Sequence, residues 1–307
     1  MTGSSSDPVD AYRADLLAGR HVFISGGGTG LGAAMAARLA QLGAAITICG
    51  RRRTPLDETA AAIRDAGGKA EGVPCDITKR HRVESCLDEA EQRSGPVTDL
   101  INNAAGNFLA LSEDLDPRGF EAVTNINLFG SFHCTQACGQ RWIERETGGN
   151  VVAIATTYTD TGAALVMPSA TTKAAIVAMM RSLAVEWGPY GIRLNSIAPG
   201  PIPTKGAWDR LIPDASFEDD MRKTVPLGRF ATKRELADLA AYLLSDLSAM
   251  ITGQLIELDG GARLAGHGSF NDLLRIPRDE LRSTFDALRP RRRRTATDDD
   301  ASSAGPR

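Results

Sequence analysis

A glycine-rich turn is the first feature of this sequence that could do chemistry. Gly26, Gly30 and Gly32 follow the apolar run HVFIS in a G-x-x-x-G-x-G spacing, and an alanine-rich stretch comes next. Glycine lets the chain turn sharply and lets a diphosphate approach without a Cβ in the way. A helix after the turn would begin with free N–H groups and the positive end of its dipole, which favour phosphate. Because the turn stands between a predicted strand and a predicted helix, it predicts a dinucleotide site.

The end of the second predicted strand indicates which dinucleotide binds. An NAD site tends to place an acidic residue there, which accepts hydrogen bonds from the ribose hydroxyls. Here the strand ends at Gly50, and Arg51, Arg52 and Arg53 come directly after it. Guanidinium groups bind phosphate through paired hydrogen bonds, and no carboxylate is present to repel a 2′-phosphate. The sequence therefore predicts that NADP(H) is the cofactor.

Three more predicted strand ends contribute to the cofactor site. Asp76, in CDIT after the third strand, is placed to bind the adenine amino group, and NNAAGN after the fourth strand lays small residues beside the ribose. The segment that follows the sixth strand should approach the nicotinamide. The residues that we expect to bind the cofactor are Gly26, Gly28, Thr29, Gly30, Leu31, Gly32, Arg51, Arg52, Asp76, Asn103, Pro199, Gly200, Pro201 and Ile202.

Short β-branched or apolar runs alternate with helix-length stretches along the chain. The runs predicted as strands are 21–25, 45–49, 70–74, 99–103, 151–155, 192–197 and 254–258. The stretches predicted as helices lie near 29–42, 55–66, 80–94, 117–146, 169–188 and 232–246. This alternation predicts a parallel sheet with helices on both faces. Right-handed connections then favour a Rossmann-like, doubly wound α/β fold.

No internal linker or tandem repeat divides this pattern, so we predict one NADP-binding domain over residues 14–266. Residues 1–13 and the charged tail 289–307 are predicted to be disordered, because neither holds enough apolar residues to bury on folding. Residues 267–288 form a C-terminal extension. Three aspartates follow the arginine run of the tail, which favours a solvated terminus over an anion-binding one.

Composition excludes several classes of partner. The net charge of −3 gives no reason to expect nucleic acid or membrane as a partner, and no apolar run approaches the length of a membrane span. Five cysteines without framework spacing predict free thiols in a reducing compartment, which we interpret as the cytoplasm. Cys134 and Cys138 are interpreted as small apolar residues of a buried helix face, and we predict no metal site.

Four motifs, in order, resemble the short-chain dehydrogenase/reductase family. They are the glycine turn, NNAAG, the helix that carries Lys173, and NSIAPGPI, and they span about residues 20–262. The common form of this family uses Ser, Tyr and Lys, with the Tyr four residues before the Lys on one helix. Here Ser169 stands at the Tyr position, and its hydroxyl is a far weaker acid than a phenol. The nearest phenol is Tyr158, just after the fifth strand, where the serine of the common triad usually lies.

One branch of that family has this rearrangement. The segments TTYTDTG, VMPSATTKAAI and NNAAGNF are similar to the 2,4-dienoyl-CoA reductases, especially the mitochondrial type. The resemblance implies NADPH-dependent reduction of a 2,4-dienoyl-CoA to a 3-enoyl-CoA, auxiliary to unsaturated fatty acid β-oxidation. It assigns Tyr158 and Asn107 as donors to the thioester oxygen, Lys173 as the residue that orients the ribose, and Ser169 as a residue that tunes this network. The implied substrate-binding residues are Asn107, Phe108, Tyr158 and Arg210.

Two positions depart from the mitochondrial pattern or leave alternatives open. Thr78 stands where those enzymes have an arginine that helps bind CoA, and Asn127 matches the common form of the family. A second interpretation is therefore another short-chain reductase, acting on an enoyl-CoA, a 3-oxoacyl thioester or another carbonyl. A third is a non-catalytic NADP-binding scaffold. The resemblance further implies a homotetramer assembled through helices 117–146 and 169–188.

Overall fold

A computed structural model describes residues 11–204, 215–265 and 271–288. Its strands form one seven-stranded parallel sheet in the order β3-β2-β1-β4-β5-β6-β7. The strands are β1 His21–Ser25, β2 Ala45–Gly50, β3 Lys69–Pro74, β4 Asp99–Asn102, β5 Gly149–Ile154, β6 Ile192–Pro199 and β7 Leu255–Leu258. The predicted doubly wound α/β fold is confirmed, since the strand order reverses between β1 and β4, and the carboxyl ends of these strands border a crevice.

Helices connect the strands. They are α1 Gly30–Gln41, α2 Arg53–Asp65, α3 Arg80–Ser94, α4 Pro117–Thr124, α5 Gly130–Arg145, α6 Met167–Trp187, α7 Ala215–Lys223, α8 Lys233–Leu244, α9 Ala262–Ala265 and α10 Arg278–Leu288. The chain divides into two compact units, one ending at Arg263 and the other starting at Leu264. Of the helices in the described ranges, none is both long and apolar enough to cross a membrane.

Two apolar clusters cover the two faces of the sheet. One packs side chains of α1, α2 and α8, such as Met35 and Leu236, against β1 and β2. The other packs α3, α5 and α6 against the opposite face and includes Trp142 and Met180. Successive strand residues point to opposite faces, so buried runs such as HVFIS contribute to both clusters. The sheet is thereby rigid enough to fix the loops at its carboxyl edge.

The predicted helix 117–146 is interrupted. A π-helical turn, Asn125–Phe129, separates α4 from α5. In a π-helical turn each hydrogen bond spans five residues instead of the four of an α-helix. Asn127, which lies in this turn, is fully buried between the loop after β4 and α6. Turns of this kind occur frequently at functional sites.

Candidate active site

The glycine turn between β1 and α1 is held tightly against the end of β4. Gly26 has a φ of +69°, which favours glycine, and the Asn103 amide Nδ2 donates to the carbonyl oxygens of Ser25 and Gly26, each at 3.0 Å. A Cβ on Gly32 would lie 2.3 Å from the Gly26 carbonyl oxygen and 2.6 Å from the Asn103 Nδ2 atom. Glycine is thus required where the turn, the helix and β4 meet. Asn103 fixes the shape of this turn from behind.

The first turn of α1 is free to bind an anion. Thr29 precedes the helix without a side-chain capping hydrogen bond, and the first turn contains no acidic residue. Its N–H groups and the helix dipole therefore favour a phosphate at this end. Leu31 is half-buried beside it, and the Gly28 carbonyl oxygen accepts a hydrogen bond from the Thr59 hydroxyl at 3.1 Å. These backbone groups therefore lie together at the carboxyl end of β1.

Two arginines at the end of β2 are unpaired among the described residues. Arg51 and Arg52 are exposed and form no ion pair there, whereas Arg53 lies 3.6 Å from the Asp57 carboxylate. Gly50 ends the strand, so no acidic side chain stands at the position that would meet a ribose 2′-substituent. The arrangement fits an anionic group at this position, because two guanidinium groups are available to it.

The Asp76 carboxylate is oriented by its own loop. One oxygen, Oδ1, accepts hydrogen bonds from the Thr78 backbone N–H at 3.0 Å and from the Thr78 hydroxyl at 2.8 Å. The chain after β3 is joined to β2 by the Cys75 N–H, which donates to the Gly50 carbonyl oxygen at 2.8 Å. The second carboxylate oxygen thereby remains available to a ligand, and the local role of Thr78 is to hold Asp76.

The segment after β6 crosses the carboxyl edge of the sheet. The Gly200 N–H donates to the Leu258 carbonyl oxygen at 3.0 Å, and a Cβ on Gly200 would lie 3.0 Å from the Asp259 Cα. Ile202 is buried in the core, and Pro199 and Pro201 are half-buried. Thr204, which sequence reasoning missed, is buried and lies near Gly30 at the start of α1. The segment therefore runs back toward the glycine turn.

Lys173 is a buried lysine whose amino group lies at the carboxyl end of β5. It is 6% exposed, and its Nζ donates to the carbonyl oxygen of Ile154, the last residue of β5. Burial lowers the pKa of Lys173 to about 8, because an ammonium group loses hydration inside the protein. The amino group is thus placed at the end of β5, where the loop that carries Tyr158 begins.

Asn127 joins the loop after β4 to the helix of Lys173. Its Oδ1 accepts from the Gly106 N–H at 2.8 Å, and its Nδ2 donates to the Gly106 carbonyl oxygen at 3.2 Å and to the Thr172 Oγ1 at 3.0 Å. The Thr172 hydroxyl in turn donates back to the Pro168 carbonyl oxygen at 2.8 Å. Because Gly106 precedes Asn107 and Thr172 precedes Lys173, this amide fixes both site residues through their neighbours.

The side-chain amide of Asn107 is held by the next residue along the chain. Its Oδ1 accepts a hydrogen bond from the Phe108 backbone N–H at 2.9 Å, which leaves Nδ2 without a partner among the described residues. The Phe108 ring packs against α4, where a Cβ on Gly119 would lie 3.0 Å from the ring. The amide of Asn107 is therefore oriented as a donor, and Phe108 anchors the loop beside it.

Tyr158 and Ser169 lie on different elements. Tyr158 is half-buried four residues after Ile154, and its carbonyl oxygen accepts from the Gly162 N–H at 3.0 Å. Its phenol oxygen forms no hydrogen bond within the described part of the chain. Ser169 is buried on α6, one turn before Lys173, where its hydroxyl cannot replace a phenol as an acid.

The loops after β4 and β5 are joined at the mouth of the crevice. The Ala110 N–H donates to the Leu165 carbonyl oxygen at 2.9 Å, and Leu165 has a φ of +67°, a conformation that costs a non-glycine residue roughly 1–2 kcal/mol. This bond connects the loop of Asn107 to that of Tyr158. Arg210, expected to contact CoA, lies outside the described residues.

Besides Thr204, the sequence reasoning missed Ser25 and Thr172. The Ser25 hydroxyl accepts from the backbone N–H groups of Asn103 and Ala104, both at 3.1 Å, and Thr172 links Asn127 to α6. Ser25 could have been found, because it is a polar residue at the carboxyl end of a buried strand. No local pattern distinguishes Thr172, since its partner is 45 residues away.

The known proteins to which this chain is similar are named as reductases and dehydrogenases. A family model described as "Enoyl-(Acyl carrier protein) reductase" matches residues 26–263. "Probable 2,4-dienoyl-CoA reductase 3 [(3E)-enoyl-CoA-producing]" from Caenorhabditis elegans is 40% identical over 82% of this chain and 83% of its own. "Probable 2,4-dienoyl-CoA reductase [(2E)-enoyl-CoA-producing]" from Bacillus subtilis is 41% identical over 78% of this chain and 95% of its own. The crystal structure of a gluconate 5-dehydrogenase from Burkholderia cenocepacia in complex with NADP and tartrate superposes with a TM-score of 0.77, at 32% identity, over 81% of this chain and 97% of that chain.

Proposed function

Because the chain belongs to the short-chain dehydrogenase/reductase family and is an oxidoreductase with a nicotinamide-dinucleotide-binding fold, we propose that it reduces a 2,4-dienoyl-CoA to a 3-enoyl-CoA with NADPH. The observation that carries this proposal is the position of the side chains that could donate a proton or a hydrogen bond. Lys173 is buried on α6 one turn after Ser169, and the phenol nearest to it in the sequence, Tyr158, lies in the loop that follows β5. We further propose that the enzyme assembles as a homotetramer through α4, α5 and α6.

The residues present fit the chemistry of a conjugated thioester. The reduced nicotinamide, when bound, supplies a hydride, and a conjugated dienoyl group accepts it at the end far from the thioester. Negative charge then collects on the thioester oxygen as an extended enolate, which a proton later neutralises on carbon. A carbonyl reductase must instead protonate an alkoxide at the carbon that accepts the hydride. The enolate route therefore requires donors at a distant oxygen rather than an acid at the reacting carbon.

Tyr158 and Asn107 are suited to hold that oxygen. The side-chain oxygen Oδ1 of Asn107 accepts a hydrogen bond from the Phe108 N–H, so the Nδ2 group of the same amide is left to donate to a substrate. The Tyr158 phenol has a free O–H within the described part of the chain. Donors held in place before the reaction stabilise a developing oxyanion by about 2.7–4 kcal/mol each.

Lys173 would stabilise the same negative charge through its own positive charge. In this proposal its ammonium group, which donates to the Ile154 carbonyl oxygen, holds the nicotinamide ribose and favours an anion nearby. Since burial lowers its pKa to about 8, a bound anion has the further effect of stabilising the charged form. Asn127 and Thr172 position this lysine and the Asn107 loop together.

The mouth of the crevice suits an apolar acyl chain. Four large apolar side chains, on its two loops and at the start of α6, are 37–52% exposed. They are Leu109, Leu111, Leu165 and Met167. An acyl chain that covers them gains roughly 25 cal/mol for each Å² of apolar surface removed from water. A short polar substrate would gain nothing from this surface, which favours an acyl thioester.

Cofactor preference gives a direct prediction. Replacing both Arg51 and Arg52 by alanine is expected to raise the Kd for NADPH by roughly tenfold or more, because hydrogen bonds to a charged group each contribute about 1.5–3 kcal/mol. The Kd for NADH, which lacks the 2′-phosphate, should change by less than about twofold. Isothermal titration of both cofactors against wild type and variant measures the two constants. Arg53→Ala is the matched control, since Arg53 already faces Asp57.

The proposed reaction is tested by a substrate panel. Purified protein with NADPH is offered a 2,4-dienoyl-CoA, a 2-enoyl-CoA and a 3-oxoacyl-CoA of equal chain length, and NADPH oxidation is followed at 340 nm, the usual wavelength for this cofactor. We expect kcat/KM to be highest for the dienoyl-CoA. Chromatography of the product should identify the 3-enoyl-CoA, which forms when the enolate is protonated next to the thioester.

Other outcomes of the panel would contradict the proposal. Turnover of the 3-oxoacyl-CoA alone would assign a carbonyl reductase in spite of the missing helical tyrosine. Tight NADPH binding with no turnover of any substrate would assign a non-catalytic scaffold. A 2-enoyl-CoA product, as named for the Bacillus subtilis relative, would still identify a dienoyl-CoA reductase. It would mean that the enolate is protonated at a carbon other than the one next to the thioester.

A further inference from the structure

Three buried thiols converge behind the proposed adenosine site. Cys49 lies in β2, Cys75 follows β3 and Cys86 lies in α3, so each comes from a different element. Their Sγ atoms all lie within 4.8 Å of one another. The side chains are 0%, 5% and 2% exposed, respectively, and all three thiols are free. The cluster is therefore an enclosed, all-sulfur set of potential ligands.

The geometry points to a site for a soft monovalent metal ion, and we propose that Cys49, Cys75 and Cys86 bind one Cu⁺ ion. Three sulfur atoms this close can share one ion after small shifts of their side chains. Thiolate sulfur is the ligand type that Cu⁺ prefers. A structural Zn²⁺ site almost always has four ligands, and no fourth histidine, cysteine or carboxylate atom joins the group among the described residues.

Binding would require no oxidant or reductant. Each Cu–S bond to a thiolate replaces an S–H bond and releases a proton to solvent, while copper remains Cu⁺. The Cys75 thiol donates a weak hydrogen bond, at 3.4 Å, to the Arg82 carbonyl oxygen, which a Cu–S bond would replace. An ordinary buried cysteine packs as a small hydrophobe, but two of these three lie at strand ends beside the proposed cofactor site. Cys49 precedes Gly50 and Cys75 precedes Asp76.

The test measures copper binding by the full-length, reduced protein without oxygen. Cu⁺ is supplied as its coloured complex with a chelating dye, and the loss of colour reports transfer to the protein. We expect one Cu⁺ per chain. Cys49→Ser, Cys75→Ser and Cys86→Ser should each lose more than the roughly tenfold in affinity that removal of an outer-shell partner costs a metal site. Cys138→Ser, which removes an equally buried thiol outside the cluster, should bind as wild type does.

A second measurement needs no variant and so does not depend on whether a serine variant folds. X-ray absorption at the copper edge of the wild-type complex should show three sulfur neighbours and no nitrogen. Equal copper affinity in wild type and the three cluster variants, a first shell that contains nitrogen, or tighter binding of Zn²⁺ than of Cu⁺ in the same competition would each overturn the assignment. None of these results depends on which acyl-CoA the enzyme reduces.

Discussion

Replacing Tyr158 by phenylalanine is expected to lower kcat for a 2,4-dienoyl-CoA by about 10²–10³-fold, the loss seen when one oxyanion donor is removed. The substitution keeps the ring, which is half-buried after β5, and removes only its hydroxyl. The thioester oxygen would then rely on Asn107 alone as its side-chain donor. Steady-state kinetics with saturating NADPH measures the change in kcat, and circular dichroism checks that the fold is retained.

The control for Tyr158→Phe is Tyr190→Phe. Tyr190 is 51% exposed in a short 3₁₀ turn just before β6, at the edge of the sheet opposite the site. Both variants lose one phenolic oxygen, but only the first should lose activity, and NADPH affinity should stay within about twofold of wild type in both. If Tyr158→Phe retained more than about a tenth of the wild-type kcat, the phenol would not be the oxyanion donor, and a different group would have to fill that role.

The strands and the cofactor turn were predictable because their signals are local. An apolar run bounded by turn residues specifies a buried strand, and each predicted strand agrees with the observed one to within about two residues at its ends. The helix predicted over 117–146 was wrong in one respect. Its apolar periodicity continues through the π-helical turn Asn125–Phe129, and within that turn the Asn127 side-chain oxygen accepts a hydrogen bond from the Gly106 N–H, 21 residues earlier in the chain.

The site was predictable only where residue type and strand end coincide. Asp76 and the arginines after β2 follow this rule, and the structure places them at the carboxyl edge of the sheet. The bond between Lys173 and the Ile154 carbonyl oxygen, the Ser25 hydroxyl behind the glycine turn, and the orientation of the Asn107 amide all depend on partners distant in sequence or on the backbone. None of these leaves a local pattern.

The cysteines show the same limit. By sequence spacing, the candidate pair was Cys134 and Cys138, four residues apart, and the structure buries both in the apolar core beside α6. The thiols that converge are Cys49, Cys75 and Cys86, which only the pairing of β2 with β3 and the packing of α3 bring together. Among the cysteines, the prediction of no metal site considered only the pair Cys134 and Cys138, because no spacing in the sequence links Cys49, Cys75 and Cys86.

Lys173→Met is expected to lower kcat by at least about 10²-fold, since it removes the cation that orients the ribose and supports the enolate. The same variant has a distinct signature in stability, which loss of an exposed lysine would not give. Lys69→Met, which removes an exposed lysine at the start of β3, is the matched control for loss of positive charge. Kinetics and urea unfolding are measured on all three proteins, the unfolding without cofactor.

The sign of that stability effect follows from the lowered pKa. Below about pH 8 Lys173 is protonated in both the folded and the unfolded chain, so the folded protein bears the full cost of a buried charge. Between about pH 8 and 10.5 the unfolded chain binds more protons than the folded one, so the free energy of unfolding of wild type must rise relative to Lys173→Met. At about 1.36 kcal/mol per pKa unit the total gain is at most about 3 kcal/mol. A difference between wild type and Lys173→Met that stayed constant from pH 7.5 to pH 10.5, roughly the interval set by this pKa, would mean that the ammonium is well solvated. In that case burial would not strengthen the attraction between Lys173 and an anion, and the proposed role of Lys173 at the ribose would depend on hydrogen bonding alone.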